Sequence, residues 1–419
     1  MLTGLLHLLL IIAFVIVFAW SLYNALVFFT GLFSWFNRKK TDKMSNNCNE
    51  LSGDELPFVS IIVPVKNGEK VLPRLMNSLL SLDYPKDRIE IILVEDGSRD
   101  SSYNICLEYA KRYPSLIKVL HRDESKGKPD ALNFALKHAS GDILAFFDVD
   151  SIVEQDSLKR AVKLLSEPNV AAVQQRTTSL NHNQNILTRL IYIEETCSSI
   201  ILEGRNALKL FVPLTGSCMF IKREVIEKVG GWSTESLTED AELSVRLLKE
   251  GFIIVYDKEV GAYQEAPASL RNFIKQRMRW YRGLIETFAQ SLNVIKNLRR
   301  KFIDAVAYLA SPLMVLLSQS FYCSLAAVIL LGYNSPILQI IFQISLISLL
   351  LFVASLMSFL LKFVKWRLNE SLVASCLTFC YWFFVAFIVL ISLLNVLLGT
   401  RKEWYTTPKG EYGCISHHP

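Results

Sequence analysis

The chain has 419 residues, 51% of them hydrophobic and 20% charged, with a formal net charge of +6; a mean hydropathy of +0.30 argues against an ordinary soluble enzyme of this length. Those averages conceal two compositions, because residues from about 45 to 300 carry most of the charge and both ends are almost purely apolar. Eight cysteines are scattered with no Cys-x-x-Cys pair, which speaks against a disulfide or zinc framework.

Met1 to Trp35 is nearly one apolar run, closed by Asn37-Arg38-Lys39-Lys40. A helix rising ~1.5 Å per residue needs about 20 apolar residues to cross ~30 Å of hydrocarbon, and this run exceeds that. A cleaved signal peptide puts its positive charge before a shorter apolar stretch. Here the charge follows a longer one. The order predicts a retained transmembrane helix over 1–36 and a cytoplasmic linker over 37–57.

From Phe58 the character changes. Phe58 to Val65 is a β-branched run that reads as a buried strand, followed by a helix with Val71, Leu72, Leu75, Leu79 and Leu80 on its apolar face. Ile89 to Val94 is a second strand, ended by Glu95-Asp96-Gly97-Ser98, with Ser98 or Asp100 placed to cap a helix over Ser102 to Arg112. A third strand at Ile117 to Leu120, a helix over Asp130 to His138 and a fourth strand over Asp142 to Phe147 follow. The alternation predicts an α/β domain over 58–268: a mostly parallel sheet with helices on both faces. Ligands of such sheets bind outside the carboxyl ends of the strands, so Asp96 and Asp148 are expected on one crevice.

Four constellations carry chemistry. Asp148-Val149-Asp150, at a strand end, places two carboxylates where a divalent cation relieves their repulsion and bridges a diphosphate; the plainer reading is an ordinary loop. Asp96 suits hydrogen bonds from a nucleoside or a helix cap, and Lys128 within Lys126-Gly127-Lys128-Pro129 suits a phosphate or a solvated turn. Thr238-Glu239-Asp240 offers Asp240 as a general base, or a helix start capped by Thr238. A helix over Leu270 to Phe288, rich in Arg and Lys, contains Gln276-Arg277-Met278-Arg279-Trp280, in which Arg279 suits a diphosphate and Trp280 a stacked sugar ring. The same helix fits a membrane surface, so 269–303 is read as an amphipathic interfacial segment.

Three further apolar runs, 304–332, 337–361 and 371–399, predict about three transmembrane helices over 304–400, before a tail over 401–419. With the middle domain cytoplasmic, three crossings place the tail outside, whereas Arg401-Lys402 favour the inside.

Together these pieces resemble the family 2 glycosyltransferases, more closely the membrane-bound branch of cellulose, hyaluronan, chitin, mannan and poly-N-acetylglucosamine synthases. The resemblance covers about Phe58 to Phe288 and rests on Asp96, Asp148-Val149-Asp150, Thr238-Glu239-Asp240 and the Gln-x-x-Arg-Trp motif of Gln276, Arg279 and Trp280, in the family order. It implies a GT-A nucleotide-sugar-binding fold and an inverting single displacement. Asp96, Lys128 and Asp148 would then contact the nucleotide, and Asp148 and Asp150 the diphosphate with its Mg²⁺ or Mn²⁺. Asp240 would be the general base beside Thr238 and Glu239, while Gln276, Arg279 and Trp280 would frame the donor diphosphate and the acceptor. Thr215-Gly216-Ser217 resembles the family's small-residue segment beside the acceptor, which brings in Gly216 and Ser217. Arg401 to Lys409 is similar to a segment after the last span that is cytoplasmic in the mannan- and cellulose-type synthases, against the simple span count. The implied function is transfer from a nucleotide-sugar (UDP favoured, GDP the other option) to a growing β-linked polysaccharide, with translocation as a further step. The alternative is one-step transfer to a polyprenyl phosphate, ceramide or diacylglycerol; a non-catalytic scaffold fits less well, because every charged position is filled. Membrane lipid is an expected partner and nucleic acid is not, and the short chain leaves room for a homo-oligomer or an accessory subunit.

Overall fold

A computed structural model describes residues 2–36, 56–292, 300–332, 335–362 and 367–410. Nearly all of the expected linker over 37–57 lies outside the described residues, as do 293–299 of the interfacial segment, 411–419 of the tail, and Cys48 and Cys414. The chain forms two compact units: Met1–Leu26 with Leu309–Thr400, and Val27–Tyr308 with Arg401–Pro419.

In the second unit, the end of helix α1 (Leu2–Phe36) precedes β1 (Val59–Val65), α2 (Leu72–Leu80), β2 (Ile89–Asp96), α3 (Ser102–Arg112), β3 (Ile117–Arg122), α4 (Lys128–Leu136) and β4 (Ile143–Phe146). Then come β5 (Ile152–Val153), α5 (Ser157–Leu165), β6 (Val170–Ser179), α6 (Ile186–Ala207), β7 (Met219–Lys222), α7 (Arg223–Lys228), α8 (Glu239–Lys249), β8 (Ile253–Gln264), α9 (Leu270–Ser291) and α10 (Arg300–Leu309).

The strands form one eight-stranded sheet in the order β3-β2-β1-β4-β7-β6-β8-β5. Its first four strands are parallel, as the alternating pattern requires. β7 runs antiparallel to both β4 and β6, and β5 to β8, while β6 and β8 are parallel, so the whole sheet is mixed. Side chains alternate across each strand: Ile61 and Val63 of β1 join Leu72, Leu75 and Leu79 on one face. Ile62 joins Ala131, Leu132, Ala135, Leu243 and Leu247 on the other. Helices therefore cover both faces, which is why these strands read as unbroken apolar runs rather than alternating ones.

Register fixes the site. Val65 lies opposite Glu95, and Ile62 opposite Phe146, so the carboxyl ends of β1, β2 and β4 finish side by side. Asp96 and the Asp148-Val149-Asp150 loop leave that one edge. α6 is started by a capping box in which the Asn185 side chain accepts from Thr188 N and Thr188 Oγ1 returns the bond. α9 is started by Ser269, whose hydroxyl accepts from Asn272 N.

The apolar run that reads as beginning at 304 is divided at Ala310. Residues up to Tyr308 belong to the α/β unit, where buried Asp304 accepts from Arg205 (2.7 Å) and from Phe211 N (2.7 Å). Pro in the first turn of the next helix permits the restart.

The other unit holds most of α1 with α11 (Ser311–Leu330), α12 (Pro336–Lys362) and α13 (Leu368–Leu397). Four helical segments are long and apolar enough to cross a membrane: His7–Phe36, Ser311–Leu330, Pro336–Phe359 and Ser371–Leu397. Leu10 and Val17 pack against Phe321, Leu325 and Leu338. Outward-facing side chains are equally apolar, with Leu22, Leu330, Leu351 and Phe387 all exposed, the pattern of a lipid-facing bundle.

Candidate active site

At the carboxyl edge of the sheet lies a cleft of about 360 Å³, lined among others by Asp96, Lys128, Asp148, Asp150, Gln276, Arg279 and Trp280. Side chains 184 positions apart in sequence thus meet in one space, because β2 and β4 end there, α4 begins there and α9 contributes Gln276, Arg279 and Trp280.

Asp148 and Asp150 are each neutralised by a different lysine. Lys128 Nζ lies 2.6 Å from Asp148 Oδ1 and donates also to Gly216 O (2.7 Å). Burial works against both charges, but the pairing outweighs it: the Lys128 pKa is raised and that of Asp148 is held below the usual carboxylate range. Asp150, 1% exposed, accepts from Glu265 N (2.9 Å) and from Lys409 Nζ (2.7 Å). Lys409 is raised too, since burial is outweighed chiefly by Asp150. Lys128 is not on a loop, as its Gly-Lys-Pro context suggests; it opens α4, behind Gly127 at a φ of +96°.

The loop over 211–217 forms another wall. Ser217 Oγ accepts from Asp148 N (3.0 Å) and Gln264 Nε2 (2.8 Å), and Gly216 has a φ of +85°. A Cβ on Gly216 would stand 3.0 Å from Asp240 Oδ2 and 3.6 Å from Lys128 Nζ. Asp240 therefore sits directly behind Gly216, at the first turn of α8. Thr238 occupies the N-cap position but makes no side-chain cap bond; its hydroxyl faces Thr287 at 3.5 Å instead. Burial pushes both acids up: Glu239 reaches about 7, with Asp240 next to it adding repulsion, and Asp240 is also raised, against the pull of Lys128 and Arg279.

α9 supplies the roof. Arg279 donates to Leu237 O (2.9 Å) and lies over the Trp404 ring at 4.6 Å. Arg277 covers the Trp280 ring at 4.4 Å and pairs with Glu194. Gln276 donates to Thr407 Oγ1 (3.2 Å). Arg277 and Arg282 are buried, and only Arg271 and Lys275 of the helix's basic residues stay fully exposed, so much of its charge serves the cleft rather than a lipid surface. α9 comes close to α8 at Gly283, where a Cβ would meet three Thr238 atoms within 3.0 Å.

Of the sequence candidates, Asp96, Lys128, Asp148, Asp150, Gln276, Arg279 and Trp280 line the cleft, and Gly216 and Ser217 brace it. Asp96 accepts from Ser125 Oγ and lies 3.3 Å from Arg122 Nε. Thr238, Glu239 and Asp240 stand one layer back. Sequence reasoning missed Lys409, Gln264 and Glu265 as partners of the paired aspartates; only the family-like tail, 401–409, carried any signal for Lys409.

Among the described residues no three His, Cys, Asp or Glu side chains gather as a metal cage. The two aspartates nonetheless suit a hard cation that takes one or two carboxylates and completes its shell with phosphate oxygens and water. The ammonium groups now on each carboxylate show that positive charge is stable there.

A family model described as glycosyl transferase family 2 matches residues 60–230. A second, described as cellulose synthase, matches residues 183–409, more than half of the chain. The chain belongs to the cellulose synthase family within the family 2 glycosyltransferases. Its relatives include a probable glycosyltransferase, YdaM, of Bacillus subtilis, 32% identical over 254 residues, 59% of this chain and 60% of YdaM. Beta-monoglucosyldiacylglycerol synthase of Trichormus variabilis is 32% identical over 265 residues, 62% of this chain and 56% of that protein. The chain thus spans about three fifths of the length of these relatives. Among solved structures, the mannosyltransferase PcManGT from Pyrobaculum calidifontis, in complex with GDP-Man and Mn²⁺, shares the fold with a TM-score of 0.58 at 18% identity, over 92% of this chain and all of that one.

Proposed function

We propose that the protein is a metal-dependent, inverting glycosyltransferase of the membrane that moves a sugar from a nucleoside diphosphate to a growing β-linked polysaccharide. The observation that carries this reading is the convergence, in one cleft, of two aspartates beside lysines with a Trp–Arg roof, backed by a second carboxylate pair pushed up in pKa.

Asp96 faces the nucleoside. Lys128 and Arg279 offset the charge that grows on the diphosphate as it leaves. Asp148 and Asp150 would hold Mg²⁺ or Mn²⁺, which would supply Lewis-acid stabilisation of that leaving group. Asp240 takes the proton from the acceptor hydroxyl as its oxygen bonds to the anomeric carbon. Its pKa, raised by burial, makes it a stronger base than an ordinary aspartate. Glu239 and Thr238 set its surroundings, Gly216 leaves the acceptor side open, and Trp280 and Gln276 frame the sugars.

The catalytic unit is proposed to be cytoplasmic. The tail over 401–419 is proposed to lie on that same side. The charge of Arg401-Lys402 agrees with this.

The diacylglycerol glucosyltransferase relatives favour a second reading, transfer to a membrane lipid. A panel of UDP- and GDP-sugars with Mg²⁺ or Mn²⁺, offered to the detergent-purified protein, separates the two. Nucleoside diphosphate release with a polydisperse glycan supports the polysaccharide reading, a single lipid-soluble product supports the other, and release without any metal contradicts the proposed metal site.

A further inference from the structure

Part of the cleft wall has no role in the donor reading: α6, β6 and β8 contribute Thr177, Glu195, Ser198 and Ser199, with Tyr256 and Leu202. Its chemistry differs from that of the residues assigned to the donor, where Lys128, Lys409 and Arg279 supply cations suited to phosphate. The lining residues from α6, β6 and β8 include no lysine or arginine, and Arg277 of α9 already pairs with Glu194. Carboxylate and hydroxyl groups beside aliphatic side chains are what a neutral sugar needs, hydroxyls toward the polar atoms and ring C–H groups toward Leu202.

Glu195 is the centre of this wall. Its Oε2 accepts from Ser179 N (2.8 Å) and Ser179 Oγ (2.6 Å), which fixes the side chain and leaves Oε1 for a donor in the cleft. The second feature is Tyr256, only 3% exposed, whose hydroxyl is buried beside Ser199 without a partner in hydrogen-bond geometry. A buried hydroxyl left so is destabilising, a cost that a bound ligand recovers. We infer that Glu195, Ser198 and Tyr256 form an acceptor subsite, in which the carboxylate and the two hydroxyls hold the hydroxyl groups of an acceptor sugar unit. The inference rests on the polysaccharide reading above and names its acceptor as a polyhydroxylated glycan end. Burial also raises the Glu195 pKa to about 7, so the group both accepts and donates near neutral pH.

The test measures initial rates against short β-linked gluco- and manno-oligosaccharides, together with nucleotide affinity and transfer of the donor sugar to water, in Glu195→Gln and Ser198→Ala. Ser198 is exposed at the cleft, so its loss leaves packing alone; Gln keeps the shape and the Ser179 contacts of Glu195. The subsite predicts that KM for the oligosaccharide rises about tenfold or more in Glu195→Gln and about threefold in Ser198→Ala. Nucleotide affinity and hydrolysis should stay within twofold, a split that a general loss of folding would not produce. An unchanged KM in both variants, or a parallel fall in nucleotide affinity, overturns the subsite. A wild-type protein that ignores every oligosaccharide but glycosylates dioleoylglycerol overturns the polysaccharide reading itself, and the lipid product distinguishes that failure from the first.

Discussion

The acidic pair of the cleft and the acidic pair one layer behind it are made of the same kinds of residue and behave in opposite ways. Asp148 and Asp150 follow a strand, each within 2.7 Å of a lysine ammonium, and Asp148 is held in its charged form. Glu239 and Asp240 open a helix one layer back, where burial outweighs the more distant pull of Lys128 and Arg279, and both are raised. A contact cation favours the anion and makes a group fit to hold charge, whereas burial without one makes a group that takes up a proton more readily than an ordinary carboxylate. Direct contact with a lysine, Lys128 for Asp148 and Lys409 for Asp150, thus separates one carboxyl pair from the other.

The division breaks most completely at the base. Asp240→Asn should lower kcat by about a thousandfold or more, in line with the upper range for acid–base groups, while donor KM stays within a few fold; near-normal turnover would remove Asp240 from the mechanism. Asp150→Ala comes next. It should cost about a hundredfold and abolish the stimulation by Mg²⁺ or Mn²⁺, read from nucleoside diphosphate release across a metal titration.

A pH profile sharpens the comparison. Asp240 must be deprotonated to act, so kcat/KM should fall as pH drops through its raised pKa, on a limb above the ordinary carboxylate range. Lys128 lowers that pKa, so Lys128→Met should move the limb to higher pH besides slowing the reaction; a limb that moves down or stays put would contradict the assignment. The smallest effect is geometric. Gly283→Ala forces α9 away from Thr238 and should reduce kcat about tenfold with nucleotide affinity unchanged.

The strands of the first half were legible because buried parallel strands are short unbroken apolar runs, and their ends placed Asp96 and Asp148 without further help. Antiparallel β7 was not legible: Met219–Lys222 is four residues long and carries no turn signal that fixes its direction. The site followed the same rule. Asp148, Asp240 and Arg279 stand in recognisable local patterns, whereas Lys409 reaches Asp150 across 259 positions, a contact that no local pattern encodes. Thr238 shows the converse, a residue whose local pattern reads as a cap but whose hydroxyl turns to α9. Proline placement explains Ala310 as a helix boundary only once Asp304 is seen to be buried against Arg205.

The claim that one acidic pair holds charge and the other moves a proton is tested most directly by binding and turnover in two matched variants. Metal-dependent nucleotide affinity would be measured by titration calorimetry for Asp150→Asn and Asp240→Asn, alongside nucleoside diphosphate release. The account predicts that Asp150→Asn loses the metal-dependent part of the affinity, and that Asp240→Asn binds like the unaltered protein yet does not turn over. Equal losses of affinity in both variants, or turnover by Asp240→Asn, would contradict it.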